Sequence, residues 1–405
     1  MPASQTLTPS PRSPLERPRV HVLAIGGAHQ FAHILPVACV LEQRHPGRVT
    51  FFVCTDAEAA AAAAQARGLP GRMPRLEVLR LPAAAAALPR KLHKAARLAA
   101  WSRRLCDADA ILCAERTSTL LRRLVPDCPP LLHIPHGAGD RAVGFEKRFT
   151  LFDHVLVSGA KDRDRLIASG YVQPDACSVT GPVKLSTMLA TGVQRPPLFD
   201  NGRPTILYNP HFARKHSSMA AFGRRLVEAV TADGRWNLVV APHVRLARGW
   251  SERRRRRWEA LAVPGRVIVD LGSERCSDMT YTLAADLYVG DVSSQVYEFL
   301  VRPRPCLFVD PHAVEWHESD DYAMWHFGEV IAPGADPVAA IERAFDNHAA
   351  YLGWQRERMA YSIDGLHWLA DGTPTFGSRD PVCEAADEVE AFAGLGGAGQ
   401  LPRAA

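Results

Sequence analysis

The chain has 405 residues, of which 47% are hydrophobic and 22% are charged, and its formal net charge is +5. This composition is ordinary for a folded protein, and the length allows two domains, each with its own core. No uninterrupted apolar stretch is long enough to span a bilayer. The nine cysteines form no Cys-x-x-Cys pairs, which favours buried, reduced thiols in the cytoplasm over disulfides or zinc.

The first part of the chain predicts alternating strands and helices. Residues 1–18 are rich in Pro, Ser and Arg without an apolar centre, and predict a disordered leader instead of a secretory signal. Helices are predicted at 31–43 and 57–67. Continuous apolar strands separated by helices indicate a parallel sheet that is covered on both faces. The predicted strands are 20–25, 49–54, 76–81, 110–114, 131–134, 154–157 and 178–180.

Residues 191–204 contain Pro, Gly and Asn and predict a linker, after which the same alternation begins again. The chain is therefore predicted to be α/β, with two tandem doubly wound, Rossmann-like domains at 19–190 and 205–392 that face each other across a cleft. A frayed tail is predicted at 393–405. The second set of strands is 205–208, 238–241, 267–269, 287–289 and 306–309. Its helices are 219–232, 252–262 and 338–351, and a last helix at 384–392 packs back on either domain.

Ligands of open α/β sheets bind outside the carboxyl ends of the strands, so residues at those ends are the candidates for function. The most informative are Asp291, Ser293 and Ser294, which follow the strand at 287–289 and precede a helix predicted at 295–301. Backbone N–H groups at a helix start bind phosphate well. Glu298, one turn later, is placed to reach a ribose hydroxyl. The alternative is that Ser293 only caps the helix.

A second candidate is His136, which follows the strand at 131–134 in a glycine-rich turn. Histidine is the side chain best suited in pKa to act as a general base near neutral pH. The alternative is a solvent-exposed loop histidine. His133, inside the same strand, is expected to lie against a neighbouring layer.

The second domain offers further phosphate ligands at strand ends. His243 and Arg245 follow the strand at 238–241 and are suited to hold a diphosphate, with Arg245 as a fork and His243 as a donor. Asn209 and His211 follow the strand at 205–208 and are less specific candidates. Loop decoration is the alternative for these positions. Lys184, at the domain junction, is expected to be exposed.

Several common patterns are absent or misplaced. Gly26 and Gly27 follow the first strand, but the rest of the Gly-x-Gly-x-x-Gly fingerprint is missing, which argues against a nicotinamide or flavin enzyme. The two Asp-x-Asp strings, at 107–109 and 162–164, do not lie at a strand's carboxyl end and are predicted to be solvated charge. There is no Walker motif and no His-Glu-x-x-His motif.

Two basic segments bear on partners. Residues 88–105 predict a cationic amphipathic helix with a tryptophan, which suits an anionic membrane surface. The alternative is a surface helix that packs its apolar stripe on the sheet. The arginine run at 253–257 lacks base-stacking aromatics, so a solvated helix face is expected there and no nucleic acid partner is predicted.

Together these positions resemble one family, the CDP-glycerol glycerophosphotransferases that build teichoic acid and related capsule polymers, which have a two-domain glycosyltransferase-B fold. The resemblance covers roughly residues 130–335 and lies in the His-Gly turn, the Asp-x-Ser-Ser segment and the strands around them. The matching segments are 136–137, 152–159, 179–185, 241–244, 291–294 and 303–308.

The resemblance implies that His136 takes a proton from an acceptor hydroxyl, whose oxygen attacks the β-phosphorus of a CDP-activated alcohol. His243 and Arg245, with Ser293 and Ser294, would stabilise the charge on the diphosphate. No tightly bound cofactor or metal is expected, because helix-end donors take the place of a cation. The acceptor is expected to be lipid-linked or a polysaccharide, and the protein cytoplasmic or peripheral on the inner face of the plasma membrane.

Other functions remain open. A glycosyltransferase of the same fold would use a UDP- or CMP-sugar and attack at the anomeric carbon. A non-hydrolysing nucleotide-sugar 2-epimerase would need carboxylates in the cleft, for which Glu115 and Asp140 are candidates. A non-catalytic nucleotide-binding protein belongs to a different class altogether.

Overall fold

A computed structural model of the chain describes residues 18–135, 137, 139–140, 145–191 and 197–395. His136, most of the predicted leader, the central part of the predicted linker and most of the predicted tail lie outside the described residues. The predictions made for them stay predictions.

The strands of the described residues are mostly short and buried. Numbered in chain order, they are β1 Val20–Leu23, β2 Val49–Val53, β3 Arg75–Val78, β4 Ala110–Cys113, β5 Leu131–His133, β6 His154–Val157, β7 Cys177–Val179, β8 Thr205–Asn209, β9 Asn237–Val240, β10 Val267–Val269, β11 Leu287–Gly290, β12 Cys306–Val309, β13 Glu329–Ile331, β14 His367–Trp368 and β15 Pro374–Thr375.

Helices separate most of these strands. The α-helices are α1 Phe31–Arg44, α2 Asp56–Ala66, α3 His93–Leu105, α4 Leu121–Leu124, α5 Ala160–Ala168, α6 Val183–Ala190, α7 Arg224–Asp233, α8 Glu252–Glu259, α9 Thr280–Ala284, α10 Gln295–Phe299, α11 Pro337–Asp346, α12 His348–Ser362 and α13 Pro381–Ala393. Met219–Gly223 form a π-helical turn before α7, and the 3₁₀ turns are Ala28–Gln30, Ala83–Ala85, Arg90–Leu92, Arg116–Leu120, Lys147–Leu151, Pro174–Ala176, Ala247–Gly249, Glu274–Cys276 and Asp320–Phe327.

Two parallel sheets organise the molecule. The first has the strand order β3-β2-β1-β4-β5-β6-β7 and the second has the order β10-β9-β8-β11-β12-β13. All pairs within these two sheets are parallel. The order reverses between β1 and β4 in the first sheet and between β8 and β11 in the second, which places a crevice at each of these switch points. The prediction of two doubly wound, Rossmann-like domains is confirmed.

The apolar strands form these sheets because both of their faces are covered. Every residue of β1, β2 and β4 in the first sheet, and of β8, β9 and β11 in the second, is buried. Local signals fix where some helices begin. Thr55 caps α2 by accepting from the Glu58 N–H, and Asp380 caps α13 directly before Pro381.

Some predicted bounds are wrong. The helix predicted at 338–351 is two helices, because Asn347 has non-helical backbone angles between α11 and α12. The helix predicted at 252–262 ends at Glu259, and that predicted at 295–301 ends at Phe299. The last helix, α13, lies within the range predicted for the second domain. Nevertheless, it packs its buried face on the first domain's core, with Val382, Ala386 and Val389 beside residues of α1.

The basic segment at 88–105 forms a surface helix that packs apolar residues against the first domain, which was the alternative to a membrane-binding helix. Leu98 and Leu105 of α3 are completely buried in the first domain's core, and Trp101 packs beside them and donates to the Arg80 carbonyl. Arg104 pairs with Glu77 at 2.8 Å. The apolar stripe of α3 is thus buried in the protein interior, and the segment exposes basic side chains together with Leu88 and Leu92 before the helix.

Within the described residues, no helix is both long enough and apolar enough to cross a bilayer. The nine cysteines are all free, and Cys54, Cys113 and Cys306 are buried as expected. Burial raises the pKa of the Cys54 thiol to about 11, so this thiol stays protonated near neutral pH.

Candidate functional site

A cavity of about 290 Å³ lies between the carboxyl ends of the two sheets. Most of the predicted second-domain ligands line it together, although they come from different strand ends. From the first domain the walls include Ala114, Arg116, His133, Pro135, Gly137, Gly139 and Asp162. From the second domain they include His211, Phe212, His243, Arg245, Val292, Ser293, Ser294 and Met324.

Asp291 organises the second-domain side of this cavity. It is completely buried, and its carboxylate accepts from the N–H groups of His211 and Ser218, each at 2.8 Å. It also accepts from the Ser218 hydroxyl at 3.1 Å and from the Val292 N–H at 2.7 Å. Asp291 therefore holds the loop after β8 against the end of β11. Both carboxylate oxygens are thus engaged in hydrogen bonds within the protein, and the predicted contact of Asp291 with a ligand stays a prediction.

Asn209 has a similar supporting position. It is buried, its amide donates to the Ala241 carbonyl at 2.7 Å, and its carbonyl accepts from the Tyr288 hydroxyl at 3.2 Å. The amide thereby joins the ends of β8, β9 and β11. These bonds engage both ends of the Asn209 amide inside the sheet, and its predicted contact with a ligand stays a prediction.

His211 and His243 are both hydrogen-bonded to the backbone through the same ring nitrogen. The Nδ1 atom of His211 accepts the Ala213 N–H at 3.1 Å, and that of His243 accepts the Arg245 N–H at 3.2 Å. An imidazole that accepts at Nδ1 carries its proton at Nε2 when neutral. The two rings lie 6.0 Å apart, centre to centre. Both imidazoles are therefore N–H donors on the Nε2 side, which is the chemistry an anionic ligand requires.

Arg245 is exposed, and its guanidinium lies 4.1 Å from the ring centre of Phe212. Phe212 also packs beside His243, with 4.8 Å between ring centres. Stacking on an aromatic face orients a guanidinium and leaves its edge N–H groups for a ligand. Phe212 was not predicted from the sequence, where it is one aromatic residue in a polar loop.

Ser293 and Ser294 lie where β11 gives way to α10. The N-cap residue is Ser294, and its hydroxyl makes no capping hydrogen bond, while the Ser293 hydroxyl accepts a long bond of 3.4 Å from the Gln295 N–H. Helix capping therefore does not account for a serine hydroxyl at position 294. Because α10 has only five residues, its dipole contributes less to anion binding than a full helix would.

The glycine turn of the first domain lies directly against Ser294. A Cβ atom on Gly139 would be 2.9 Å from the Ser294 Cβ, and one on Gly137 would be 3.2 Å from its hydroxyl. Gly137 also has a φ of +92°, which other residues rarely adopt. These glycines allow the two domains to approach each other at the candidate site.

Replacing Gly139 with alanine is expected to separate the domains locally, because Cβ atoms do not approach each other within 3 Å. We expect a lower midpoint of thermal unfolding, by the equivalent of about 1–3 kcal/mol, and weaker binding of any ligand that contacts both domains. Gly334→Ala is the control, since nothing lies within 4 Å of its added Cβ. Equal midpoints and equal ligand affinities for both variants would contradict the close contact.

Glu298 and Lys184 form an ion pair between the domains. Lys184 was predicted to be exposed, but only 9% of its surface is accessible, and Glu298 is its partner. The other carboxylate oxygen of Glu298, Oε2, is buried without a hydrogen bond in the part of the chain that the structure describes. It lines a small cavity of about 40 Å³ beside Ser294 and Met279. An oxygen in this state can accept from a hydroxyl of a bound ligand.

Three polar side chains of the first domain make contacts within the protein. Glu115 caps a 3₁₀ turn by accepting from the Thr117 and Ser118 N–H groups, and Asp140 accepts from the Tyr297 hydroxyl. His133 stacks on Phe152 with 4.4 Å between ring centres, as expected for a layer contact. Among the described residues, no group of three or more His, Cys, Asp or Glu side chains is arranged to hold a metal ion.

Asp162 was predicted to be solvated charge, and this is wrong. It is 5% exposed and lines the main cavity. Burial raises the pKa of its carboxyl, against the opposing effect of Lys161. Asp162 and Arg116 are the cavity-lining charged residues that sequence reasoning missed. Arg116 is paired with Glu146 at 3.1 Å.

No family model and no curated protein matches the sequence. Solved structures match the fold. A protein from Listeria monocytogenes assigned as a UDP-N-acetylglucosamine 2-epimerase superposes with a TM-score of 0.64 and 13% identity, covering 96% of this chain and 99% of that one. The S. aureus MnaA structure with UDP gives 0.59 and 13%, covering 93% and 97%. The wall teichoic acid polymerase TagF, soaked with CDPG, gives 0.61 and 10%, covering 94% and 89%.

These identities are low, so the comparisons bear on the fold alone. The two parallel sheets, facing each other at their carboxyl ends, have the architecture of the glycosyltransferase-B class to which the resemblance pointed.

Proposed function

We propose that the protein transfers glycerol phosphate, or a related alditol phosphate, from a CDP-activated donor to a hydroxyl of a lipid-linked or glycan acceptor. One observation carries the proposal. His211, His243, Arg245 and Ser294, which lie far apart in the sequence, converge on one cavity at the switch point of the second sheet. Their N–H and O–H groups suit a diphosphate, and the opposite wall belongs to a different domain, from which an acceptor can approach.

The second domain would hold the donor. Arg245, oriented by Phe212, would bind the diphosphate with its guanidinium edge, and the Nε2–H groups of His243 and His211 would donate to phosphate oxygens. Ser293 and Ser294 would add hydroxyl and backbone donors. Such fixed donors stabilise the charge that moves onto the leaving nucleotide, which is most of what phosphoryl transfer requires.

Glu298 would select a ribose. Its Oε1 atom pairs with Lys184, and its Oε2 atom is the one without a partner in the described part of the chain. A ribose hydroxyl in the adjoining small cavity would satisfy that oxygen. Because Lys184 belongs to the first-domain side, ribose binding and domain closure would be coupled through one carboxylate.

His136 remains the proposed base, on the resemblance alone. It would accept the proton of the acceptor hydroxyl while that oxygen bonds to the β-phosphorus. The bond from this phosphorus to the bridging oxygen would break, and CMP would leave with the electron pair. No tightly bound cation or cofactor is proposed, and contact with an anionic membrane through the exposed basic residues at 88–105 is a further proposal.

Nucleotide binding tests this proposal. Calorimetry and thermal shifts with CDP, CMP, UDP, UMP and GDP compare ligands that stabilise the native state according to their occupancy. The proposal predicts selective stabilisation by CDP that is weakened in Ser294→Ala. A clear preference for UDP would contradict it.

The second candidate is a nucleotide-sugar enzyme of the same fold, either a glycosyltransferase or a 2-epimerase. One observation favours the epimerase, namely the carboxyl of Asp162 in the cavity wall, since epimerisation needs acid–base groups there. The two carboxylates first considered for that role, Glu115 and Asp140, are occupied by hydrogen bonds within the protein.

A further inference from the structure

A buried cluster of charges lies on the first-domain wall of the cavity and has no part in the donor site. Lys161 and Asp162 belong to the first turn of α5, and Asp140 to the turn after β5. None of the three residues is more than 5% exposed. Buried charges are costly unless they are fully paired, so incomplete pairing in such a cluster points to a ligand.

Asp140 is fully paired. Its carboxylate accepts from Lys161 Nζ at 2.9 Å and from the Tyr297 hydroxyl at 2.7 and 2.6 Å, and Arg358 lies 3.6 Å away. This group ties α5 to α10 and α12. Asp140 is therefore an acceptor with no capacity left for a ligand.

Asp162 differs from Asp140 in this respect. Its Oδ1 atom forms an ion pair with Lys161 Nζ at 3.3 Å, but the same ammonium makes a shorter bond of 2.9 Å to Asp140, and apart from this shared lysine Oδ1 has no hydrogen-bond partner in the described part of the chain. The side chain lines the cavity that also contains Arg245 and Ser294. Within the described residues it is thus a buried acceptor held only by a lysine that it shares with Asp140, on the wall opposite the proposed donor ligands.

Asp162 is also close to the domain contact. Lys161 Nζ donates to the Gly139 carbonyl at 3.4 Å, and Gly139 lies against Ser294. A single lysine therefore bridges Asp162 to the point where the two domains meet. An acceptor molecule bound at Asp162 would lie beside the diphosphate site.

We propose that Asp162 binds a hydroxyl of a polyol or sugar acceptor and so forms the acceptor subsite of the cleft. This inference rests on the proposed function, to which it adds a residue that binds the acceptor. A hydroxyl donates to a carboxylate oxygen, which would satisfy Oδ1, whereas a phosphate would be repelled by it. The subsite therefore selects the hydroxyl end of the acceptor and excludes its phosphate end.

The charges around Asp162 give this binding a pH dependence. Burial raises the pKa of the Asp162 carboxyl, the neighbouring Asp140 raises it further, and Lys161 and Arg165 lower it. Tyr297 and Arg358 face the same cluster from α10 and α12. The ionised carboxylate is the stronger acceptor, so acceptor affinity should improve as pH rises through the pKa of Asp162.

The test uses CDP-glycerol as donor and dodecyl glycerol phosphate as acceptor probe, with steady-state kinetics of the full chain. In Asp162→Asn we expect the acceptor KM to rise by about 30-fold, and its pH dependence to disappear. The donor Kd and the kcat at saturating acceptor should stay within about threefold. Asp164→Asn is the matched control, since Asp164 is on the same helix but pairs outside the cavity with Arg163 and Tyr361.

Two results would overturn the inference. An active wild type whose Asp162→Asn variant keeps the wild-type acceptor KM would remove the Asp162 assignment and leave the proposed function intact. A wild type that transfers nothing from CDP-glycerol would contradict both. Asp162→Ser, which also removes the carboxylate, replaces the Asn variant if thermal unfolding shows that the latter does not fold.

Discussion

Replacing Arg245 with alanine is expected to weaken CDP binding by about 30- to 100-fold, the range that follows from losing a charged hydrogen-bond donor. Arg245 lies in the cavity with its guanidinium stacked on Phe212 at 4.1 Å. Alanine removes both the charge and the fork of N–H groups. The dissociation constant from calorimetry measures the effect, and the thermal midpoint without ligand should hardly change because the side chain is exposed.

Two further variants separate charge from geometry. Arg245→Lys keeps the charge and loses the planar fork, so its affinity should be intermediate. Arg248→Ala removes an exposed arginine from the same loop that is not among the residues lining this cavity, and should bind CDP like the wild type. Equal losses in Arg245→Ala and Arg248→Ala would indicate long-range attraction and no specific contact.

Replacing Asp291 with alanine is expected to destabilise the second domain more than any other change at the site. The carboxylate accepts from two loop N–H groups, one hydroxyl and the Val292 N–H, and all of these donors would be left buried without it. Unsatisfied buried donors cost about 1–3 kcal/mol each when water cannot replace the lost partner. We expect a loss of at least about 3 kcal/mol, measured by urea unfolding, and a parallel loss of CDP binding as the loop carrying His211 is released.

Asp310→Asn is the control for this variant. Asp310 also accepts from two backbone N–H groups, those of His312 and Val314, but it is partly exposed, so water can replace a lost bond. Its substitution should cost less than about 1 kcal/mol. Similar losses for Asp291→Ala and Asp310→Asn would mean that the Asp291 carboxylate does not hold the loop.

The pH dependence of stability offers a second test of Asp291. Burial raises the pKa of this carboxyl to about 6, although its four hydrogen-bond donors oppose the change. The unfolded group titrates near about 4, so between these values the native state keeps a proton that the unfolded state has lost. The contribution of Asp291 to stability therefore falls as pH rises through this window. Asp291→Ala should lose this part of the pH dependence.

The sequence predicted the architecture because its strands are buried on both faces. Runs such as β4 and β11 are continuously apolar and recur after helices, which only a covered parallel sheet explains. The sequence also predicted that His211, His243, Arg245 and Ser294 lie at strand ends. Ligands of α/β sheets bind at those ends, near the point where the strand order reverses. That these four residues line one cavity could be expected on that ground.

Contacts between residues far apart in sequence were not predictable in the same way. The prediction that Asp162 is solvated is wrong because helical periodicity does not show that the first turn of α5 is buried, or that the charge of Asp140, 22 positions earlier, acts on the Asp162 carboxyl. The prediction that Lys184 is exposed is wrong because its partner, Glu298, lies 114 residues away in the other domain and cannot be found from the local sequence. The hydrogen bonds of Asp291 were not predictable either, because the loop after β8 that donates to it lies 73 to 80 positions earlier in the sequence.

The most direct test of transfer by attack at the β-phosphorus is to identify the nucleotide that is released from CDP-glycerol. The protein, CDP-glycerol and dodecyl glycerol phosphate are incubated together, and the nucleotide products are quantified by ion-exchange chromatography and ³¹P NMR. Attack at the β-phosphorus predicts CMP in a one-to-one ratio with transferred glycerol phosphate, and loss of that product in His136→Ala. Release of CDP, or turnover of UDP-N-acetylglucosamine with none of CDP-glycerol, would contradict phosphoryl transfer and favour a nucleotide-sugar enzyme.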